Sequence, residues 1–358
     1  MDEVARIRRE IDQVDQETIS LLKTRYELAR RLGRIKRIQG LPIRDPQRER
    51  AVLLKSQRIA KANGLPGKSI RQIFLETFTM ALSAQGPSND RHDLQGHEVL
   101  IAGGTGGMGK LFACVFAKHG ASVKIFGRSR ARTRRVARDI GVLPGSYSDA
   151  REASIVVVSL PMKVTPRVAL RLGSMMSPEG ILADLSSVKT GIADVISRGT
   201  KPFEYVSLHP LFGPDVAHIG GQQIAAIPYR PGSLWKKLLM VFKQDGARVI
   251  VTTAREHDAM MAKIQALHHF ALMSLGVTLG ENGGKFSTRS LRSTQDQIQR
   301  LTNNWETIRG IQKLNPFATR ERDRFHKTVS EIKGMGPEDS TKTYRLLARY
   351  VQNWSRKQ

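Results

Sequence analysis

The sequence predicts a multidomain chain: an all-α three-helix domain, then a doubly wound α/β domain, then an all-α C-terminal domain. Three observations carry that expectation. From Val4 to Ile35 apolar residues follow a heptad spacing, between Glu98 and Asp184 short apolar strands alternate with helix-compatible stretches, and beyond Thr253 long helical patterns take over. At 358 residues the chain exceeds one ordinary core, which agrees with several domains.

The first helix is read from Val4, Ile7, Ile11, Val14, Leu21, Leu28, Leu32 and Ile35, an a/d repeat of about 35 residues. Gly40, Pro42 and Pro46 end it, and Asp45-Pro46 supplies an N-cap and first-turn proline for a second helix to about Ala62. After the turn Asn63-Gly64-Leu65-Pro66-Gly67, Ser69 and Gln72 read as the capping box of a third helix ending near Gln85. Helices of such unequal length leave apolar seams open, so a homodimer through the long helix is expected. The linker begins at Gly86-Pro87-Ser88-Asn89-Asp90. Domain bounds are set at 1–86, linker 87–96, 97–251 and 252–358.

The α/β domain opens with a buried strand, Glu98–Ala102, and a helix over residues 110–119. Strand Ser122–Phe126, a helix over 131–140 and strands Ile155–Ser159 and Ile181–Asp184 follow. Such alternation predicts a parallel sheet. Thr253-Ala254-Arg255-Glu256 is a capping box that opens the last helical domain.

Between the first strand and its helix stands Gly104-Thr105-Gly106-Gly107-Met108-Gly109, a G-x-G-x-x-G turn in the context of a Rossmann dinucleotide site. Gly104 makes the tight turn, Gly106 lets the backbone approach a pyrophosphate, and Gly109 lets helix and strand pack, with Thr105 and Met108 between them. An acid at the end of the second strand accepts the ribose 2′-hydroxyl in NAD enzymes. Here no acid occurs between Gly109 and Asp139, and the place reads Arg128-Ser129-Arg130. Guanidinium groups there suit a 2′-phosphate, so NADP is expected in preference to NAD.

Composition excludes other classes. The net charge of +26 divides into excesses of 8, 10 and 8 over residues 1–85, 86–250 and 251–358, an even spread rather than the basic face of a nucleic-acid binder. A generally basic surface suits anionic small molecules. No apolar run reaches a membrane span and no secretory signal is visible, so a cytoplasmic location is expected. The single Cys114 is read as a packing residue, and no metal is called for.

Two further stretches, Ser207-Leu208-His209-Pro210-Leu211-Phe212-Gly213-Pro214-Asp215 and Asp184-Leu185-Ser186-Ser187-Val188-Lys189, resemble prephenate dehydrogenase. The N-terminal helices resemble the all-helical chorismate mutase. Residues 1 to about 280 are thus similar to the fused chorismate mutase and prephenate dehydrogenase family of tyrosine biosynthesis. The resemblance implies a three-helix chorismate mutase domain, an α/β Rossmann domain and a C-terminal helical dimerisation domain, with chorismate and prephenate as substrates.

It also implies roles for residues. His209 hydrogen-bonds the C4 hydroxyl of prephenate, and an imidazole of ordinary pKa about 6.5 can take its proton as hydride leaves C4. Ser187 and Lys189 support that hydroxyl and a carboxylate. Glu256-His257-Asp258 through Leu267-His268-His269-Phe270 resembles the family too. The family's substrate-side histidine aligns with His269, although His257 and His268 share a helix face at ordinary α spacing. An arginine of the later helices is expected to hold a substrate carboxylate. Gln299-Arg300 and Ile308-Arg309 both align with it, and Arg309 is taken. In the mutase pocket the resemblance places Arg8, Arg25, Lys36, Asp45, Arg48, Glu49 and Gln85, with Arg8 serving the partner subunit's site. Arg25 sits at an a position of the heptad, where charge needs a partner such as a dianionic substrate. Ala81 stands where many relatives have serine. The alternatives are a helical segment that only dimerises, and an arogenate dehydrogenase.

Overall fold

The computed structural model describes residues 3–39, 41, 45–85, 93–199, 203–216, 218–280, 288–334 and 340–355. The chain divides into two compact units: Met1–Leu160 with Val164–Ser186 and Ile196–Thr252, and Pro161–Lys163 with Ser187–Val195 and Thr253–Gln358. Linker residues 86–92 lie outside the described residues, as does the side chain of Gln85.

In the first unit α1 (Glu3–Ile38), α2 (Pro46–Ala62) and α3 (Gly67–Gln85) form three helices, with α3 packed on both others. The a/d residues of α1 face away from that packing. All eight are exposed, from 45% at Leu32 to 71% at Leu21. The strip of α1 that is covered instead holds Arg25, Ala29, Gly33 and Lys36, half-buried or buried at helical spacing. Arg25 therefore lies beside the apolar seam on the inner strip. Asp45 caps α2 by accepting from the Arg48 N–H at 2.9 Å, with Pro46 in the first turn. The Ser69–Gln72 capping box is not formed. Helix α3 begins earlier, at Gly67, because the Pro66 carbonyl already accepts from the Ser69 and Ile70 N–H groups. Gln72 turns instead toward Glu76 at 3.2 Å.

The same unit holds an eight-stranded sheet in the order β3-β2-β1-β4-β5-β6-β7-β8. The strands are β1 (Glu98–Ala102), β2 (Ser122–Phe126), β3 (Leu143–Pro144), β4 (Ile155–Val158), β5 (Ile181–Asp184), β6 (Glu204–Pro210), β7 (Gln223–Arg230) and β8 (Arg248–Val251). The first six are parallel. β7 runs antiparallel to β6 and β8 parallel to β7, so the sheet is mixed where a wholly parallel one was expected. The reason is the connection: only twelve residues separate Pro210 from Gln223, and no helix lies between them among the described residues to carry the chain back across the sheet. Helices α4 (Gly107–Lys118), α5 (Arg130–Asp139), α6 (Thr165–Gly173) and α8 (Ser233–Gln244) accompany the strands, while α7 (Ile192–Arg198) belongs partly to each unit. Phe112 and Phe116 of α4 meet Phe242 of α8 at ring-centroid distances of 5.8 and 6.3 Å, at the heart of the core.

The second unit is helical from Thr253 onward: α9 (Ala254–Met261), α10 (Leu267–Leu279), α11 (Arg289–Asn303), α12 (Trp305–Leu314), α13 (Ala318–Lys333) and α14 (Ser340–Ser355). Thr253 and Glu256 form the expected reciprocal cap on α9. Between α9 and α10 the helix widens into a π turn, Ala262–Ala266, which no spacing in the sequence announces. No helix among the described residues is long and apolar enough to cross a membrane.

Candidate functional site

The glycine turn sits at the carboxyl end of β1, next to β4, where the strand order reverses direction. The Gly103 and Gly104 N–H groups donate to the Phe126 carbonyl at 2.8 and 3.2 Å, tying the turn to the end of β2. Gly103 has φ +85°, so the left-handed residue of the turn precedes the motif. A Cβ at Gly104 would strike Ile125, and one at Gly109 would strike the Gly103 carbonyl and lie 2.8 Å from Gly104 Cα. Gly106 is the exposed N-cap of α4 and makes no side-chain cap, so no N-cap side chain occupies the first N–H groups of the helix. These features fit a dinucleotide pyrophosphate. Thr105 and Met108 are half-buried along the turn.

At the end of β2, Ser129 caps α5 through the Arg132 N–H at 3.2 Å, and Arg128 and Arg130 are exposed beside it. Arg132, which sequence reasoning passed over, reaches the Thr105 carbonyl at 3.4 Å. His209 lies near the carboxyl end of β6, paired with Ala225 of β7 and only 4% exposed. The Leu211–Pro214 stretch after it returns to the glycine turn, because Pro214 packs where a Cβ of Gly107 would be.

In the second unit a buried carboxylate organises the predicted residues. Asp258 accepts from the Lys189 N–H at 3.0 Å and the Thr190 N–H at 2.7 Å, and pairs with His257 Nδ1 at 2.8 Å. Burial works to raise its pKa, but the hydrogen bonds from His257, Thr190 and Lys189 outweigh it and hold the carboxyl below its ordinary value. An ionised Asp258 only accepts, so His257 Nδ1 carries the hydrogen. The segment bearing Ser187, half-buried, and Lys189, fully buried, is thereby bound to α9. Asp258 was missed by sequence reasoning although it directly follows His257.

His269 is half-buried, whereas His268 is exposed. Burial, and secondarily the neighbouring His268, pull the His269 pKa down to about 4, so the ring is neutral near pH 7. Its Nδ1 is shut off from solvent with no hydrogen-bond partner among the described residues. Arg309 is not brought to this group. Ile308 and Ile311 take the inward face of α12, and Arg309 pairs on the surface with Glu306 at 2.9 Å with its side chain 60% exposed.

Among the three helices, Arg25 Nη1 donates to the Thr77 carbonyl at 2.8 Å and the guanidinium lies 5.6 Å from the Phe78 ring centroid. Burial lowers its pKa. Lys36 and Glu49 are half-buried, while Arg8, Asp45 and Arg48 are exposed. Ala81 is buried against Ala29, so the site of the missing serine is filled by apolar contact.

Comparison with known proteins gives two family models. Chorismate mutase type II matches residues 7–86, and the nucleotide-binding domain of prephenate dehydrogenase matches residues 112–223. The T-protein of Haemophilus influenzae is 30% identical over 285 residues, covering 78% of this chain and 71% of that protein. The T-protein of Enterobacter agglomerans is 32% identical with the same coverage. The fold resembles that of A. aeolicus prephenate dehydrogenase in complex with hydroxyphenyl propionate and NAD+, with a TM-score of 0.56 at 19% identity over 73% of this chain and 96% of that one.

Proposed function

This chain belongs to the T-protein family of bifunctional chorismate mutase/prephenate dehydrogenases, and from that premise we propose which residues carry its two reactions. The enzyme rearranges chorismate to prephenate and oxidatively decarboxylates prephenate to 4-hydroxyphenylpyruvate, using NAD(P)+. The observation that carries the assignment of the oxidative site is the junction of the glycine turn with the His209 stretch through Gly107 and Pro214.

Gly104, Thr105, Gly106, Met108 and Gly109 hold the dinucleotide, which when bound supplies the hydride acceptor. His209 takes the proton of the C4 hydroxyl as hydride leaves C4, giving a carbonyl; the electron pair released when the ring carboxylate departs as carbon dioxide then passes to that oxygen, leaving an aromatic phenolate that takes up a proton. Ser187 and Lys189 support that hydroxyl and a carboxylate, with Asp258 fixing their segment. His257 and the neutral His269 donate or accept hydrogen bonds to the substrate. Arg309 has no support from its surface position. Arg128 and Arg130, with Ser129 between them, select NADP over NAD, and Arg128→Asp is expected to move the preference toward NAD in a kcat/KM comparison of the two cofactors.

For rearrangement, Arg25, Lys36 and Arg48 bind the two carboxylates and the ether oxygen as charge develops there, and Asp45, Glu49 and Gln85 complete the pocket. Arg8 serves the partner's pocket in a homodimer. The protein acts on small anions rather than nucleic acid or membrane, and works in the cytoplasm.

A coupled assay tests the reading. Chorismate with NADP+ yields 4-hydroxyphenylpyruvate; His209→Asn stops oxidation and leaves prephenate accumulating, whereas Arg25→Ala stops rearrangement and still oxidises added prephenate. Loss of both activities in either variant would contradict two separate sites.

A further inference from the structure

The alignment that selects His269 conflicts with α-helical spacing, and the π turn removes the conflict. Twelve positions separate His257 from His269, which at α pitch would leave their side chains about 120° apart around the axis. A π turn takes in one extra residue, so eleven effective steps remain and the two side chains return to within about 20° of one face. Burial follows the same pattern: His257 is buried, His269 is half-buried, and His268 is exposed.

A widened turn also loosens the i→i+4 ladder and frees carbonyl groups. Here the Leu267 N–H reaches back five residues to the Ala262 carbonyl, and a side chain of another helix meets the end of the widened turn. Gln312 of α12 donates through Nε2 to the Ala266 carbonyl at 2.6 Å, at the last residue of the π turn. Gln312 is itself held from the other side, because Arg322 Nη1 of α13 donates to its Oε1 at 3.0 Å and to its carbonyl at 3.3 Å. That bond fixes which end of the amide faces Ala266. At the start of the segment Asn315 Nδ2 donates to the Asp258 carbonyl at 2.9 Å, so α12 and the turn after it grip the segment at two points. Within the π turn Gln265 Oε1 is buried with no partner among the described residues, close in sequence to the similarly unpartnered His269 Nδ1.

We propose that Gln312 is a positioning residue for the dehydrogenase reaction: by holding the Ala266 carbonyl it keeps the π turn open, and the open turn presents His269 rather than His268 beside His257. The inference rests on the role given to His269 above. It adds that this role depends on a residue of another helix, oriented in turn by Arg322.

The experiment uses the full-length enzyme and steady-state oxidation of prephenate. Gln312→Met keeps the side-chain length and removes the side-chain donor to the carbonyl of the buried Ala266. KM for prephenate is expected to rise about tenfold or more, the factor a lost buried hydrogen bond carries, with chorismate mutase activity unchanged. The decisive arm adds deletion of Ile264, which is 57% exposed within the turn. One residue fewer makes the segment a plain α helix with His257 and His269 still on one face, so the doubly altered enzyme recovers most of the lost KM. A purely structural Gln312 predicts further damage from the deletion, and that result overturns the proposal, as does a Gln312→Met enzyme with unaltered KM. His269→Asn separates the two levels: if it leaves KM unchanged, the role of His269 fails; if it raises KM while Gln312→Met does not, only the positioning role fails.

Discussion

At His269 burial does more than tune a hydrogen bond, because it couples the residue to stability. The folded pKa of about 4 lies below the ordinary 6.5, so between those values the unfolded chain binds the proton more readily than the folded one. Stability is therefore complete above pH 6.5 and falls as the pH drops through that window toward 4. Urea midpoints measured at pH 7.0, 5.5 and 4.5 are expected to decline for the native sequence and to decline less for His269→Asn. Equal slopes would mean that the ring is not shielded. The neighbourhood of this histidine was half legible in the sequence. Glu256-His257-Asp258 and His268-His269 stand out as chemistry, but the choice between adjacent histidines depends on a π turn, and no residue type favours one strongly enough to be read locally. Asp258 stands in that stretch, but its organising role could not be read there for a related reason. Besides His257, its partners are the backbone N–H groups of Lys189 and Thr190, and backbone donors leave no mark on a sequence.

At the scale of elements, strands β1, β2 and β5 and the glycine turn were legible because apolar runs and glycines are local signals. The antiparallel β7 was not, since the direction of a strand is decided by the length of its connection and by its neighbours. The capping box at Ser69 failed through competition: Pro66 offered its carbonyl sooner and the helix began there. The glycine turn itself makes a differential prediction. A methyl group at Gly109 meets the Gly103 carbonyl and Gly104 Cα, backbone atoms that cannot swing aside, so Gly109→Ala is expected to cost on the order of 2 kcal/mol of stability in denaturant unfolding. At Gly106 the nearest atom to an added Cβ is the Gly103 carbonyl at 3.3 Å, and the position is exposed. Gly106→Ala should therefore leave stability within about 0.5 kcal/mol of the parent, while raising KM for the dinucleotide through loss of close approach. If both variants behaved alike, the separate duties of the two glycines would be wrong.

For the whole molecule the decisive length is that of α1. Arg8 and Arg25 lie on one continuous helix, Glu3–Ile38, and seventeen residues of rise place them about 25 Å apart along its axis. One chorismate cannot touch both within a single chain. The apolar a/d side chains of the same helix are exposed in the isolated chain, as a helix that pairs with a second copy requires. In the proposed homodimer, antiparallel pairing of these helices would bring Arg8 of one chain toward Arg25 of the other, and each pocket would then draw on both chains. Arg8→Ala and Arg25→Ala are each expected to abolish rearrangement when made alone. Co-expressed, the two inactive chains form mixed dimers in which one pocket carries both substitutions and the other carries none. About a quarter of the parental mutase activity should return if pairing is random, because half the dimers are mixed and each has one intact pocket. The recovered activity should have the parental KM for chorismate, which sets it apart from leakage through a damaged site. A co-expressed mixture that stays inactive, with mixed dimers demonstrated by differential tagging, would show that Arg8 and Arg25 do not serve a shared pocket across two chains.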